Sequence, residues 1–405
     1  MARAGKLEQL AASGANLPML GLTFAVKDNL HVAGMPTTCN CPAFAIDATS
    51  SSLAIMKLEE AGAVLIGKNT MDQFATGLGG TRTPEPSCRN AIDPAYIPGG
   101  SSSGSAVAVA RDLVAFSLGS DTGGSGRVPA ACNGIVGLKP TLGLVSSRGL
   151  VLNSRFFDCI PIFAQNCADA YEVLERIKGF DPDDPFSRPD ADVLDIAKTV
   201  LGPSLLAVPR ADQLNFFGDD RSRSSFEANL KTLEFCGHAL KEIDFGVFEE
   251  AGRLVFQSAM VAERLIEYGH VLETNPNAIH PAVRAAIEPG KTYSAVDAFQ
   301  ALYALKALQR RAQVALQGAT ALVVPTIPTI FTVEEMLAEP VTRNTILGTY
   351  TYFANPLDLC AVSVPGHARS DGLPSALCFL GQAGQDGLIR ALATQFEAQS
   401  RSCKP

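Results

Sequence analysis

Apolar positions along this chain follow two periods. Leu22–Val26 and Ala63–Gly67 are short, mostly apolar runs that read as buried strands, the first ending at Lys27. Between them Leu53, Ile55, Met56, Leu58 and Ala61 recur at helical spacing, which predicts a helix over residues 51–61, and a short helix and linker precede the first strand. The alternation continues with a small-residue helix ending at Ala110, a strand over Leu113–Leu118, a strand over Gly134–Pro140 and a helix over Ala168–Lys178. Asp181–Asp192, rich in proline and aspartate, reads as a surface crossing and not necessarily a domain boundary. Beyond it come a strand from Leu205 to Val208, a helix over Ser224–Phe235, one long helix over Val247–Tyr268, and helices over Pro281–Ile287 and Ala295–Leu316. Strands over Ala321–Thr326 and Leu373–Leu380 follow. Helix and strand alternating in this way predict an α/β class, in a single domain over residues 1–405 with a mainly helical region at about 190–318.

Two stretches interrupt the pattern with chemistry. Gly99–Ser105 and Gly119–Arg127 are glycine- and serine-rich loops flanking the buried helix and strand, so both can end at one place. Facing clusters of hydroxyls suit acyl transfer, and a serine nucleophile needs a base. The five histidines, His31, His238, His270, His280 and His367, are not close in sequence to either loop. A lysine serves if burial favours its neutral form, and Lys27, at the end of an apolar run, is the candidate. Two motif matches are set aside. Gly62–Lys68 has part of the spacing of a phosphate loop, but Asn69 stands where serine or threonine belongs. Gly100–Gly104 has the spacing of a nucleophile elbow but follows a loop instead of a strand.

Composition excludes several classes. With 405 residues, 47% hydrophobic and 18% charged, the chain can bury one large core or two. A net charge of −8 with scattered lysines and arginines argues against a nucleic-acid or anionic-membrane surface. Residues 1–10 lack the apolar core of a signal peptide and no apolar run is long enough to span a bilayer, so a cytoplasmic location is expected. The ten cysteines form no CxxC pair and read as reduced, mostly buried thiols. Cys39-Asn40-Cys41 has no histidine or cysteine partners nearby, so no metal site is expected.

With these residues in view, the chain resembles the amidase signature hydrolases, which use a Ser–cisSer–Lys triad. Three separated motifs agree in order and type: the lysine segment Gly21–Asn29, GGSSSGSA from Gly99, and DTGGSGRVPA from Asp121. The resemblance implies that family's fold, a large mixed central β-sheet flanked by helices. It also implies Ser125 as nucleophile, Ser101 as the bridging serine after a cis peptide bond, and Lys27 as base. The backbone N–H groups of Thr122, Gly123, Gly124 and Ser125 match the oxyanion hole. Asp121 and Arg127 fit an inner support for that loop, the plainer reading being a local surface ion pair.

Within the family the likeness is greatest to allophanate hydrolases, which break down urea-1-carboxylate. It rests on Gly67–Gly77, Gly80-Thr81-Arg82, the serine loops, Val261–Arg264 and Leu347–Thr351. It implies that a backbone contact at Gly77 and a Tyr/Arg pair hold the substrate's carboxylate. The arginine matches Arg264, but the tyrosine falls on Phe256 and the usual tryptophan on Met260. Phe156-Phe157 is bulkier than the family pattern, and Glu85-Pro86 disturbs a turn. The plainer readings are a helix-surface ion pair of Arg264 with Glu263 or Glu267, and a core role for Phe256. The resemblance implies ammonia release from a small-molecule amide followed by carbamate decarboxylation, with no metal or organic cofactor. It also implies a homodimer and a pathway link to a biotin-dependent urea carboxylase. Two alternatives stand beside it: a broad-specificity amidase or a protein like the amidotransferase-A component, and a catalytically silent scaffold. The intact Lys27, Ser101 and Ser125 weigh against the scaffold.

Overall fold

The computed structural model describes residues 2–84, 87–192, 194–196 and 202–402. Its strands are β1 (Thr23–Lys27), β2 (Pro36–Thr37), β3 (Ile46–Asp47), β4 (Val64–Asn69), β5 (Phe116–Leu118), β6 (Val136–Lys139), β7 (Ile162–Ala164), β8 (Leu205–Pro209), β9 (Ala239–Ile243), β10 (Ala321–Pro325), β11 (Leu359–Pro365) and β12 (Ala376–Gln382). Ten of them form one sheet in the order β4-β1-β5-β7-β6-β11-β12-β10-β8-β9, while β2 and β3 pair as a separate ribbon. The sheet is parallel at both ends, through β4-β1-β5 and β10-β8-β9, and antiparallel between. It is the large mixed α/β sheet expected.

Alternation along the central strands builds a core on each face. Val323, Val362, Val364, Leu377 and Phe379 pack with Tyr171, Leu174, Ile389, Leu392 and Phe396 of the helices Cys167–Ile177 and Asp386–Ser402. Their neighbours Leu322, Val324, Ala361, Cys378 and Leu380 turn the other way, onto Phe245, Phe248, Leu308 and Tyr350. Among the described residues no helix is long and apolar enough to cross a membrane.

Several expectations are corrected. The long helix over Val247–Tyr268 is three pieces: a helix Gly246–Phe256, a 3-10 turn Ala259–Glu263 and a helix Arg264–Thr274. Ser258 breaks it, because its hydroxyl bonds the Leu254 carbonyl and accepts the Met260 N–H in place of the helical ladder. The strand placed over Leu113–Leu118 begins only at Phe116, since Leu113 is 69% exposed beyond a turn at Asp112 (φ 55°). Asp181–Asp192 is no simple surface crossing: Asp181 and Asp184 are buried, accepting hydrogen bonds from Ser146 and Ser147. Residues 190–318 carry β8 and β9 together with the helices Asp220–Phe235, Gly246–Phe256, Arg264–Thr274, Pro281–Ile287 and Ala295–Ala315.

Candidate active site

Strands β1 and β5 are parallel neighbours with Val26 opposite Leu118, so Lys27 and the loop after β5 leave the sheet together at the strands' carboxyl ends. Lys27 is fully buried, and its Nζ donates to Ser101 Oγ and to Ser120 Oγ, each at 2.7 Å. Asn29 Nδ2 also reaches Ser120 Oγ, at 3.0 Å. Burial brings the lysine from its usual 10.5 to about 7, against the opposing pull of Asp158, Asp72 and Asp121. The Gly100–Ser101 peptide is cis. A side chain at Gly100 would put Cβ 2.1 Å from Asp72 Oδ2, and that carboxylate is tied to the Gly80 and Arg82 N–H groups.

The loop carrying Ser125 is shaped from inside. Asp121 accepts the N–H of Gly124 at 2.7 Å and of Gly126 at 2.9 Å, and pairs with both Nε and an NH2 of Arg127 at 3.0 Å. Burial alone would raise Asp121, but Arg127 outweighs it and holds the carboxyl at about 2. Both side chains are 0% exposed, so the surface-pair reading is corrected. Arg127 continues to the Thr351 carbonyl and Asn355 Oδ1. Gly124, at φ 135°, would bring a Cβ within 2.4 Å of Thr351 Oγ1. Its N–H is committed to Asp121, while Thr122, Gly123 and Ser125 line the cavity. Thr122 Oγ1 donates to Asp158, a buried carboxyl pushed up to about 6 although Thr122, Ser154 and Asn153 all donate to it.

Ser125 lines a cavity of ≈ 550 Å³ together with Gly77, Arg82, Phe256, Arg264 and Tyr352. Lys27 and Ser101 are in contact; among the described residues the Ser125 hydroxyl has no hydrogen-bonded partner, Ser101 included. Arg264 is 6% exposed, its Nε donating to Asn153 Oδ1 at 2.8 Å and an NH1 to the Ala286 carbonyl at 3.3 Å. Among the described residues no carboxylate pairs with it, because Glu263 is spent on the Ser154 hydroxyl and the Arg155 N–H. The plainer reading of Arg264, a surface ion pair, is therefore corrected, and burial lowers the guanidinium's pKa. The Phe256 ring lies 5.4 Å below that guanidinium and 4.2 Å from the Tyr352 ring, while also joining a small core with Phe157 and Met260. Phe156, Phe157 and Met260 lie outside the cavity lining, and Glu85-Pro86 falls outside the described residues.

Sequence reasoning gave no role to Asn29, Ser120, Asp158, Asn153, Asn344 or Tyr352. Asn29 and Ser120 sit inside or beside the motifs of Lys27 and Asp121, which was signal enough. Asn153 and Asp158 belong to a loop without periodicity, and only the packed structure brings them in.

A buried amine bonded to one serine, beside a glycine turn that carries another, is equipment for acyl transfer. The chain belongs to the amidase family, which matches it over residues 1–389, and it is an amidohydrolase. It is 38% identical over 383 residues to urea amidolyase of Saccharomyces cerevisiae, covering 94% of this chain and 21% of that protein. It thus spans about a fifth of the curated urea amidolyases it matches. A glutamyl-tRNA(Gln) amidotransferase component of Thermoanaerobacter pseudethanolicus, the one designated A, is 30% identical over 437 residues, covering 100% of this chain and 88% of that protein. The solved structure of Kluyveromyces lactis allophanate hydrolase is 35% identical with a TM-score of 0.92, covering 98% of this chain and 65% of that one.

Proposed function

We propose that this chain hydrolyses allophanate, with Lys27 as base, Ser101 as relay and Ser125 as nucleophile. The observation that carries the reading is the contact between buried Lys27 Nζ and Ser101 Oγ, made by an amine that titrates near 7 and so is available in neutral form. Neutral Lys27 takes the Ser101 proton as Ser101 takes that of Ser125. The Ser125 oxygen then adds to the amide carbon, and the N–H groups of Thr122, Gly123 and Ser125 receive the developing oxyanion. Donors of this kind contribute about 3–4 kcal/mol each. As the C–N bond breaks, the relay returns the proton to the departing nitrogen, which leaves as ammonia. Water cleaves the acyl-serine by the same route to N-carboxycarbamate, which takes up protons, loses both carboxyl groups as carbon dioxide and releases the second ammonia.

Asp121 and Arg127 hold the turn, while Arg264 and the Gly77 backbone receive the substrate's carboxylate above the apolar Phe256 ring. A buried guanidinium that has no carboxylate partner among the described residues and lines a cavity supports this assignment, since its planar fork suits a carboxylate. In this reading a biotin-dependent urea carboxylase supplies the substrate. A second reading, an amidotransferase-A-like activity on another amide, is favoured by relatives matched over 88% of their length. Ammonia release from fresh allophanate, malonamate, glutamine and neutral aliphatic amides, with Ser125→Ala as blank, separates the two. Allophanate preferred and a silent blank is the expected result. Activity confined to glutamine or neutral amides rejects the carboxylate assignment.

A further inference from the structure

Arg264 brings charge to its end of the cavity, but two of its nitrogens are already engaged and the neighbouring Phe256 offers no hydrogen bond. A tyrosine lines the same cavity. Tyr352 packs its ring on Phe256 and lines the cavity with Arg264 and Gly77. The ring lies in a slot that glycine leaves open, since a Cβ at Gly348 would stand 2.1 Å from Tyr352 Cε2. It also borders the serine turn, where a Cβ at Gly123 would be 3.1 Å from Tyr352 Cδ1.

The direction of its hydroxyl follows from a chain of hydrogen bonds. The Leu78 N–H donates to Asn344 Oδ1 at 2.7 Å, which orients the amide so that Asn344 Nδ2 donates to the Tyr352 oxygen at 3.0 Å. The phenol is thereby an acceptor for Asn344 and keeps its own proton to give. Among the described residues that proton has one acceptor, the Asn344 carbonyl at 3.2 Å. A carboxylate oxygen is a stronger acceptor than a peptide carbonyl. Burial pushes the phenol up to about 12, so it stays protonated across neutral pH.

We propose that Tyr352 is a specificity-determining residue, its hydroxyl oriented by Asn344 to donate to the substrate carboxylate that Arg264 holds. This rests on the carboxylate-binding reading given above. The test is Tyr352→Phe assayed on malonamate and on a neutral aliphatic amide, with Arg264→Ala, Asn344→Ala and thermal unfolding alongside. The expected result is a KM on malonamate raised about tenfold or more, as for a lost hydrogen bond to a charged group. The turnover number, and both constants on the neutral amide, stay within about twofold of the parent. Asn344→Ala gives a smaller rise with the same selectivity. An unchanged KM on malonamate, or equal losses on both substrates, overturns the role of Tyr352. If Arg264→Ala is selective and Tyr352→Phe is not, only the tyrosine is misassigned. If Arg264→Ala also affects both substrates equally, the carboxylate reading falls with it.

Discussion

Two buried cations of this protein differ in what surrounds them. Lys27 is enclosed by the hydroxyls of Ser101 and Ser120, with carboxylates acting only from a distance, and it titrates near 7. Arg264 is braced by the carbonyl oxygens of Asn153 and Ala286 and faces an open cavity over an aromatic ring. On the proposed function the enclosed amine, which can shed its charge, moves a proton, and the braced guanidinium holds an anion.

Breaking the first region has the largest expected effect. Ser125→Ala and Lys27→Ala each lower turnover about 10³-fold or more on every amide, as removal of one member of a concerted set does. Single-turnover assays on a carboxylated and a neutral amide check this. Breaking the second region costs less and is selective: Arg264→Ala raises the KM for carboxylated amides about 10- to 100-fold and leaves neutral amides within about twofold.

Titration separates the two regions further. Because the reacting lysine must be neutral, kcat/KM rises with pH up to about 7 and levels above it, and a flat profile from pH 6 to 9 contradicts this. Stability has a definite sign. The folded-state value, about 7, lies below the unfolded 10.5, so between these values the unfolded chain binds more protons and stability rises with pH. Lys27→Met, which cannot titrate, is more stable than the parent at pH 6, and its advantage shrinks toward pH 10. Denaturant midpoints measured at both values read it out. The smallest effect is at Ser120, where Ser120→Ala removes one of two hydroxyl contacts to Lys27. It lowers kcat/KM about tenfold or less and moves the pH midpoint.

The two regions were unequally legible in the sequence. Lys27 ends an apolar run and the serines lie in contiguous glycine-rich loops, so local chemistry pointed at the lysine and the loops, and the family resemblance singled out Ser101 and Ser125. Around Arg264 the neighbours come from distant stretches: Asn153 is 111 residues away, and Leu78 meets Asn344 across 266. The chain breaks at Ser258, six residues before Arg264, whereas helical periodicity runs straight through that position. The same limit applied to the fold. The period-3.6 and period-2 patterns marked most helices and strands, but β11 and the helix Asp386–Ser402 went unread. The strand's apolar run is diluted by Cys360, Ala361 and Ser363, whereas the helix carries a readable stripe in Ile389, Leu392, Ala393 and Phe396. The long helix over Val247–Tyr268 failed for the opposite reason, a pattern that persists where one serine ends the ladder.

The most direct test of the account is covalent labelling of the intact protein by a reactive fluorophosphonate, with the modified peptide mapped by mass spectrometry at several pH values. A single adduct is expected on Ser125, forming faster as pH rises through about 7 and lost in Lys27→Ala. An adduct on Ser101 instead, no adduct at all, or labelling of Ser125 that is indifferent to Lys27 would contradict it.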